Sequence, residues 1–221
     1  NKAELKHLKF GLVLDEGGQK FATREGRVVL LDDLMAKVIR LARDTVEKKN
    51  PSLPPKEKDK IAEAVGIGAL KYNDLKENRH SDVTFNWKQM LNISGNSGPY
   101  LQYTYARFSS IFRKSKGQIA KGKSQKIDFR LLEKKEELDL IRKIVEFPDA
   151  VLEAHDSLLT SNFCNYLYEL CNLANRFYET TPVLSDENGL RRKARLELVR
   201  MANRVIEKGL GILGINVLDN I

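Results

Sequence analysis

The residues with the clearest chemical potential are rings and cations that share one flank of a predicted helix. From Tyr100 onward the sequence repeats at helical spacing, which places one set of side chains on the same flank: Tyr100, Tyr103, Arg107 and Lys114. Tyrosine rings can stack on unpaired bases, and neighbouring cations can contact phosphates. The alternative is an ordinary amphipathic helix, with half-buried tyrosines and solvated cations.

The helix that carries this flank is expected to follow an irregular loop. The loop is rich in glycine and serine, and Pro99 stands where a helix tolerates proline, in its first turn. Another side of the same helix is apolar and is predicted to face a core: Leu101, Tyr105, Phe108 and Phe112. The helix would therefore be fixed by its apolar side and would present its rings and cations along an edge.

Three further groups of cations could bind a polyanion. One is a row on the exposed side of a helix predicted from Leu190 to about Lys208, which Gly209 is placed to end: Lys193, Arg200 and Arg204. The other two are basic stretches without periodicity, residues 19–27 and 114–126, which we predict to be loops. Phosphate contact and simple solvation both remain open for these loops.

Composition is typical of a folded protein with a polyanionic partner. The 221 residues include 38 Lys and Arg against 30 Asp and Glu, a net charge of +8, and 42% are hydrophobic. No apolar run is long enough to span a membrane, and the first residues lack the apolar core of a signal peptide. We therefore expect a cytoplasmic protein, with Cys164 and Cys171 as reduced thiols in its core.

Most of the chain has the periodicity of helices. Leu8–Leu14 is short, apolar and followed by a turn, which predicts a strand at the start of a hairpin. Two glycines inside one helical pattern, Gly66 and Gly68, indicate close backbone packing. The apolar tail, residues 210–215, is expected to fold back onto the other helices. The remaining helical patterns cover residues 28–49, 56–75, 131–159 with a break at Pro148, and 163–180.

The sequence lacks the motifs of a self-contained catalyst. Its three histidines, His7, His80 and His155, are isolated from other ligands at zinc spacing, so we expect no metal site. There is also no Gly-x-x-x-x-Gly-Lys phosphate loop, no dinucleotide-binding glycine pattern and no nucleophile elbow. These residues alone therefore favour a binding role over a complete active site.

Two ordered blocks of sequence point to a known family. Ala64–Trp87 and Gly95–Arg107 closely resemble the C-terminal half of arginyl-tRNA synthetases. Later segments are similar to that family as well and follow in the same order: Tyr166–Leu170, Phe177–Glu179, Pro182–Leu184, Arg195–Val199 and Gly209–Ile215. The resemblance covers essentially the whole chain.

The resemblance implies where ATP and tRNA are held. Lys20–Gly26 stands where the family carries its form of the KMSKS loop, which binds the triphosphate of ATP, with magnesium, and stabilises charge as pyrophosphate leaves. The resemblance implies that Lys20 and Arg24 are the catalytic residues and that Lys20 and Thr23 bind ATP. Thr23 stands where the signature has its second lysine. Contacts to tRNA(Arg) are then expected from both faces that carry cations: Tyr100, Tyr103, Arg107, Lys114, Lys193, Arg200 and Arg204.

The family likeness also implies a mainly α fold, a helical bundle preceded by a short β-hairpin. The expected domains are the end of a catalytic domain (1–28), connecting helices (29–92) and a helical anticodon-binding domain (93–221). The His-x-Gly-His signature, nucleotide-binding sheet and arginine pocket of the family do not occur here. We therefore expect a monomeric C-terminal fragment of an arginine–tRNA ligase, inactive alone because arginine and ATP need the missing N-terminal half. The alternative is a free-standing helical module for tRNA binding or assembly.

Overall fold

Helices dominate the computed structural model, which describes residues 5–14, 17–19, 30–115 and 127–220. The mainly α prediction is confirmed, and none of the described helices combines the length and apolar character needed to cross a membrane. A short 3₁₀ turn, Phe129–Leu131, precedes α5. In chain order the helices are α1 (Leu31–Lys49), α2 (Pro55–Leu75), α3 (Trp87–Met90), α4 (Gly98–Ser115), α5 (Lys135–Val145), α6 (Phe147–Ser157), α7 (Thr160–Thr180) and α8 (Gly189–Ile212).

The β structure among the described residues is a parallel pair, and the return strand of the predicted hairpin falls outside the described residues. Strand β1 (Val13–Leu14) pairs with β2 (Val83–Thr84), which follows α2, through backbone hydrogen bonds of 2.8 and 2.9 Å. The strand is also shorter than the predicted Leu8–Leu14. The pattern of one segment can indicate a strand, but it does not show which distant segment pairs with it.

Helices α1 and α2 form a hairpin in which two glycines allow close approach. A Cβ atom on Gly66 would lie 3.0 Å from the Cα of Ile39 in α1. A Cβ atom on Gly68 would lie 2.8 Å from Nε2 of Gln102 in α4. Both distances are too short for a side chain without movement of the neighbour, so the predicted close packing is confirmed.

Helices α4 to α8 form a bundle around a shared apolar core. The central side chains are fully buried and come from α4, α7 and α8: Leu101, Phe108, Leu167, Leu170, Phe177, Leu198 and Ile206. The predicted core thiols, Cys164 and Cys171, are buried in α7 and unpaired. The amphipathic pattern that predicted α7 therefore corresponds to the inner face of the bundle.

The C-terminal end of α8 differs from the prediction. The helix does not end near Lys208 but continues through Gly209 to Ile212, and a turn at Gly214 with φ of +67° follows it. Gly209 lies inside the helix, and the position suits glycine because a Cβ atom there would collide with the side chain of Leu167. The expected folding back of the apolar tail is confirmed, since its inward-facing side chains are buried: Leu210, Leu213 and Ile215.

A buried ionic network joins α5, α8 and the loop between α7 and α8. The side chain of Arg195 is 3% exposed, and its Nε donates to Glu137 Oε1 at 2.6 Å. Its NH1 group donates to Asp186 and, at 3.0 Å, to the carbonyl of Pro182. Arg191 donates to both carboxylate oxygens of Asp186. Burial is tolerated because each charge has an opposite partner in direct contact.

Candidate nucleic-acid interface

Tyr100 holds α4 against α7 rather than standing free. Its hydroxyl donates to Asn172 Oδ1 at 2.7 Å and accepts from Asn175 Nδ2 at 3.0 Å. Its ring meets that of Tyr168 edge-on, with 5.6 Å between the centroids. Partial burial raises the pKa of the Tyr100 hydroxyl, so this group remains protonated at neutral pH. The hydroxyl is thus committed to the bundle, and a base could reach only the outer part of the ring.

Arg107 is held between two tyrosine rings. The guanidinium carbon lies 5.3 Å from the ring centroid of Tyr103 and 4.9 Å from that of Tyr178, within the range of cation–π contact. Its NH1 group donates to Asn175 Oδ1 at 3.0 Å and to Glu179 Oε1 at 3.3 Å. These four neighbours fix the orientation of the guanidinium. The contact with Glu179 is a surface ion pair, which contributes about 0–1 kcal/mol, so a phosphate could replace it.

Tyr103 and Arg107 line a cleft of about 470 Å³. The cleft lies between the α1–α2 turn, helix α4, the end of α7 and the last residues of the chain. This volume is within the usual range for small-ligand pockets. The cleft combines aromatic faces, cations and amide groups, a combination that suits an unpaired nucleotide. The other lining residues are Asn50, Leu53, Ala106, Ser110, Arg113, Tyr178, Asp219 and Asn220.

Two residues of this cleft were missed by sequence reasoning. Tyr178 lies in the helical pattern predicted for residues 163–180; it is half-buried and packs against the core, and its ring also contacts Arg107. Arg113 was not selected, although its NH1 group donates to the carbonyl of Asp219 at 2.6 Å and fixes the C-terminal residues beside the cleft. The sequence signal for Arg113 was its position at the start of the basic run that follows Phe112. No local pattern could have placed Tyr178 beside a residue of another helix.

The remaining predicted residues lie elsewhere. Lys114 is exposed at the end of α4, and Arg204 is exposed on α8. Arg200 is exposed and ion-paired with Glu197, while Lys193 is partly buried. None of these four lines the cleft as the structure describes it. Three predicted residues, Lys20, Thr23 and Arg24, lie outside the described residues.

The described residues contain no group of three or more histidine, cysteine or acidic side chains that could hold a metal ion. The two thiols have environments that make them poor nucleophiles. Burial raises the pKa of Cys164 to about 12, and it also raises the pKa of Cys171.

The fold is that of a helical anticodon-binding domain. The profile of the DALR anticodon binding domain matches residues 101–221, and that of the class I tRNA synthetase (R) catalytic domain matches residues 1–87. The chain therefore belongs to the DALR anticodon-binding family. Its individual relatives are arginine–tRNA ligases, which confirms the resemblance inferred from the sequence.

Two curated relatives and two solved structures illustrate the similarity. Arginine–tRNA ligase of Pseudomonas fluorescens (strain Pf0-1) is 37% identical over 98% of this chain and 37% of its own length. That of Laribacter hongkongensis (strain HLHK9) is 40% identical over 98% and 36%. Arginyl-tRNA synthetase of Thermus thermophilus matches with a TM-score of 0.85 and 32% identity, over 97% of this chain and 35% of that one. The Plasmodium falciparum enzyme matches with a TM-score of 0.75 and 25% identity, over 96% and 34%. This chain thus spans little more than a third of the length of these proteins.

Proposed function

We propose that this chain is the part of an arginine–tRNA ligase that binds the anticodon loop of tRNA(Arg), while the whole enzyme uses ATP to join arginine to that tRNA. The observation that carries the proposal is the cleft at Tyr103 and Arg107, two residues that lie in the region matched by the anticodon-binding profile. Single-stranded loops are recognised by stacking on rings and by cations that hold the backbone. The cleft supplies both in one place.

Each proposed tRNA contact has a role that fits its position. In this proposal Tyr103 stacks on a base while Arg107 exchanges its pair with Glu179 for a phosphate. Tyr100 contributes the outer part of its ring and keeps Asn175 in place for Arg107. The cations outside the cleft contact phosphates along the rest of the loop and stem: Lys114, Lys193, Arg200 and Arg204.

The proposal for the catalytic end rests on the profile match over residues 1–87. We assign Lys20 and Arg24 to the charge that develops on the triphosphate, with Lys20 and Thr23 as the ATP contacts and magnesium as the accompanying ion. Arginine would be bound by the part of the enzyme that this chain does not include. We further propose that the enzyme is a cytoplasmic monomer.

The binding proposal is tested with four variants and a tRNA(Arg) transcript. Tyr103→Ala should weaken binding by roughly 5- to 150-fold, the equivalent of one lost base stack, while Tyr103→Phe should bind like the unchanged protein because the ring remains. Arg107→Ala should weaken binding as well. The matched control is Arg142→Ala, which removes an arginine that is 69% exposed on α5. Unchanged affinity for both Tyr103→Ala and Arg107→Ala, with folding intact by circular dichroism, would refute this cleft as the tRNA site.

The proposed inactivity of the chain alone has its own test. Arginine-dependent exchange of pyrophosphate into ATP, measured with tRNA(Arg) present, should stay at background for these 221 residues. The complete ligase provides the positive control. Exchange above background by this chain alone would contradict the proposal.

A further inference from the structure

Arg79 connects the N-terminal strand segment to the helical bundle. Its Nε donates to the carbonyl of Leu158 at 3.0 Å, and its NH1 donates to the carbonyl of Lys9 at 3.2 Å. Its own carbonyl accepts a hydrogen bond of 2.7 Å from the amide of Gly11. One residue thus contacts two segments that are far apart in sequence, and it uses both backbone and side chain to do so.

The first segment leads into the loop that resembles the KMSKS signature. Residues 5–14 come shortly before that loop, and they are fixed by backbone contacts to the residues that follow α2. The amide of Leu12 donates to Asp82 Oδ1 at 2.7 Å, and its carbonyl accepts from the amide of Val83 at 2.8 Å. Because β1 has only two residues, its position depends strongly on these flanking contacts.

The second segment is the corner between α6 and α7. Leu158 has a left-handed backbone, with φ of 56°, which is costly for a residue other than glycine and here ends α6. Its carbonyl accepts the hydrogen bond from Arg79. Two residues later α7 begins at Thr160, whose hydroxyl donates to the carbonyl of Leu75 at 2.9 Å. The start of α7 is therefore tied to the end of α2 and, through Leu158, to Arg79.

Helix α7 links this corner to the candidate nucleic-acid cleft. Its later residues Asn175 and Glu179 hold Arg107, as described above. At a rise of 1.5 Å per residue, Asn175 lies about 22 Å along the helix axis from Thr160, where α7 begins. The Arg79 contact and the candidate nucleic-acid cleft therefore lie near opposite ends of α7.

We propose that Arg79 is a positioning residue for catalysis: its guanidinium sets the orientation of the strand segment before the signature-like loop relative to the bundle that holds tRNA. This inference rests on the proposed function. It adds that the two hydrogen bonds of the Arg79 guanidinium, which join the strand segment to the bundle, affect the chemical step and leave tRNA affinity unchanged. A misplacement of about 1 Å in a reacting group can reduce the rate about 10²-fold, so this contact should affect kcat.

The test uses the complete ligase, and it compares Arg79→Ala, Arg79→Lys and the surface control Arg130→Ala. Arg79→Ala should lower kcat for arginylation about 10- to 100-fold, with KM for tRNA(Arg) within twofold of the unchanged enzyme. Arg79→Lys should restore part of kcat, because an ammonium group can still donate to a carbonyl but lacks the planar fork. Arg130→Ala should change neither constant, since Arg130 is 90% exposed.

The possible results distinguish failure of the positioning role of Arg79 from failure of the proposed tRNA-binding function. An unchanged kcat in both Arg79 variants would overturn the positioning role, and so would a parallel loss of thermal stability and tRNA affinity, which indicates a structural role alone. If Arg79→Ala does not fold, Arg79→Lys carries the test through its split between kcat and KM. If the unchanged enzyme itself fails to bind tRNA(Arg), the proposed function fails and this inference fails with it. Normal tRNA binding with full kcat in the variants would overturn this inference only.

Discussion

The part of the chain that matches the catalytic domain and the part that matches the anticodon-binding domain use apolar side chains differently. Phe10 is 85% exposed and Leu31 is 62% exposed, whereas Phe108 in the bundle is fully buried. The bundle gathers five helices around one continuous core. The first part has two small clusters, one between α1 and α2 and one around Phe85 and Met90.

This difference shows that similar apolar patterns lead to burial only where a second surface is present. The helices of the bundle cover one another, and Asn175 of α7 is hydrogen-bonded to Tyr100 and Thr104 of α4. The exposed side chains near β1 and the start of α1 form an apolar surface of the kind that usually contacts another protein surface. Because this region matches a catalytic domain, we expect the rest of such a domain to cover it in the complete ligase.

The largest expected difference between the two parts is in the free energy of unfolding that is lost when one phenylalanine ring is removed from each. Phe108→Ala should lower the free energy of unfolding by about 4 kcal/mol, because it leaves a cavity in a fully buried site. Phe10→Ala should change it by no more than about 0.5 kcal/mol, since the ring is mostly in solvent. Urea unfolding followed by circular dichroism measures both values. Equal losses would show that residues 5–14 share the bundle core, and the comparison would then be wrong.

The fold was predictable where each element could be recognised from its own residues. The apolar face of α7 and the break at Pro148 needed only helical periodicity and the chemistry of proline. The pairing of β1 with β2 and the extension of α8 through Gly209 needed distant partners. A glycine near the end of a helical pattern is typical of a helix cap. At Gly209 the glycine instead leaves room for the side chain of Leu167, a contact that the local sequence does not show.

The candidate site was also predictable only where its residues belong to a single helix. One helix carries both Tyr103 and Arg107, so spacing alone could place them on one flank. The commitment of the Tyr100 hydroxyl to Asn172 and Asn175 depends on α7, and so does the presence of Tyr178 beside Arg107. Local sequence therefore predicts which residues one helix presents, but not which of them a second helix engages.

A smaller difference in the free energy of unfolding is expected between a variant that breaks a buried ion pair and one that breaks an exposed ion pair. Glu137 in the bundle is fully buried against Arg195, whereas Glu47 of α1 is 51% exposed beside Lys58 and Arg43. Glu137→Gln should cost about 3 kcal/mol of unfolding free energy, because a buried arginine loses part of its compensation. Glu47→Gln should cost much less, because the ion pairs of an exposed carboxylate are screened by solvent. Similar losses in urea unfolding would mean that the two networks are equally solvated, contrary to the structure.

The smallest of these effects is an acid dependence that should belong mainly to the bundle. Hydrogen bonds from Arg191, with support from the amide of Asn188 and the charge of Arg195, lower the pKa of Asp186 to about 2 from an ordinary 3.8. Because the folded pKa is the lower one, this stabilisation is present above pH 3.8 and is lost as pH falls towards 2, on the order of 2 kcal/mol in total. Unfolding free energies measured between pH 5 and about pH 2 should therefore fall less steeply in Asp186→Asn, which starts from a lower value, than in the unchanged protein. Glu47→Gln should flatten the slope less, because the ion pairs that lower the pKa of Glu47 are screened by solvent. If Asp186→Asn leaves the slope of unfolding free energy against pH unchanged, the acid sensitivity belongs to other carboxylates, and this difference between the two parts does not exist.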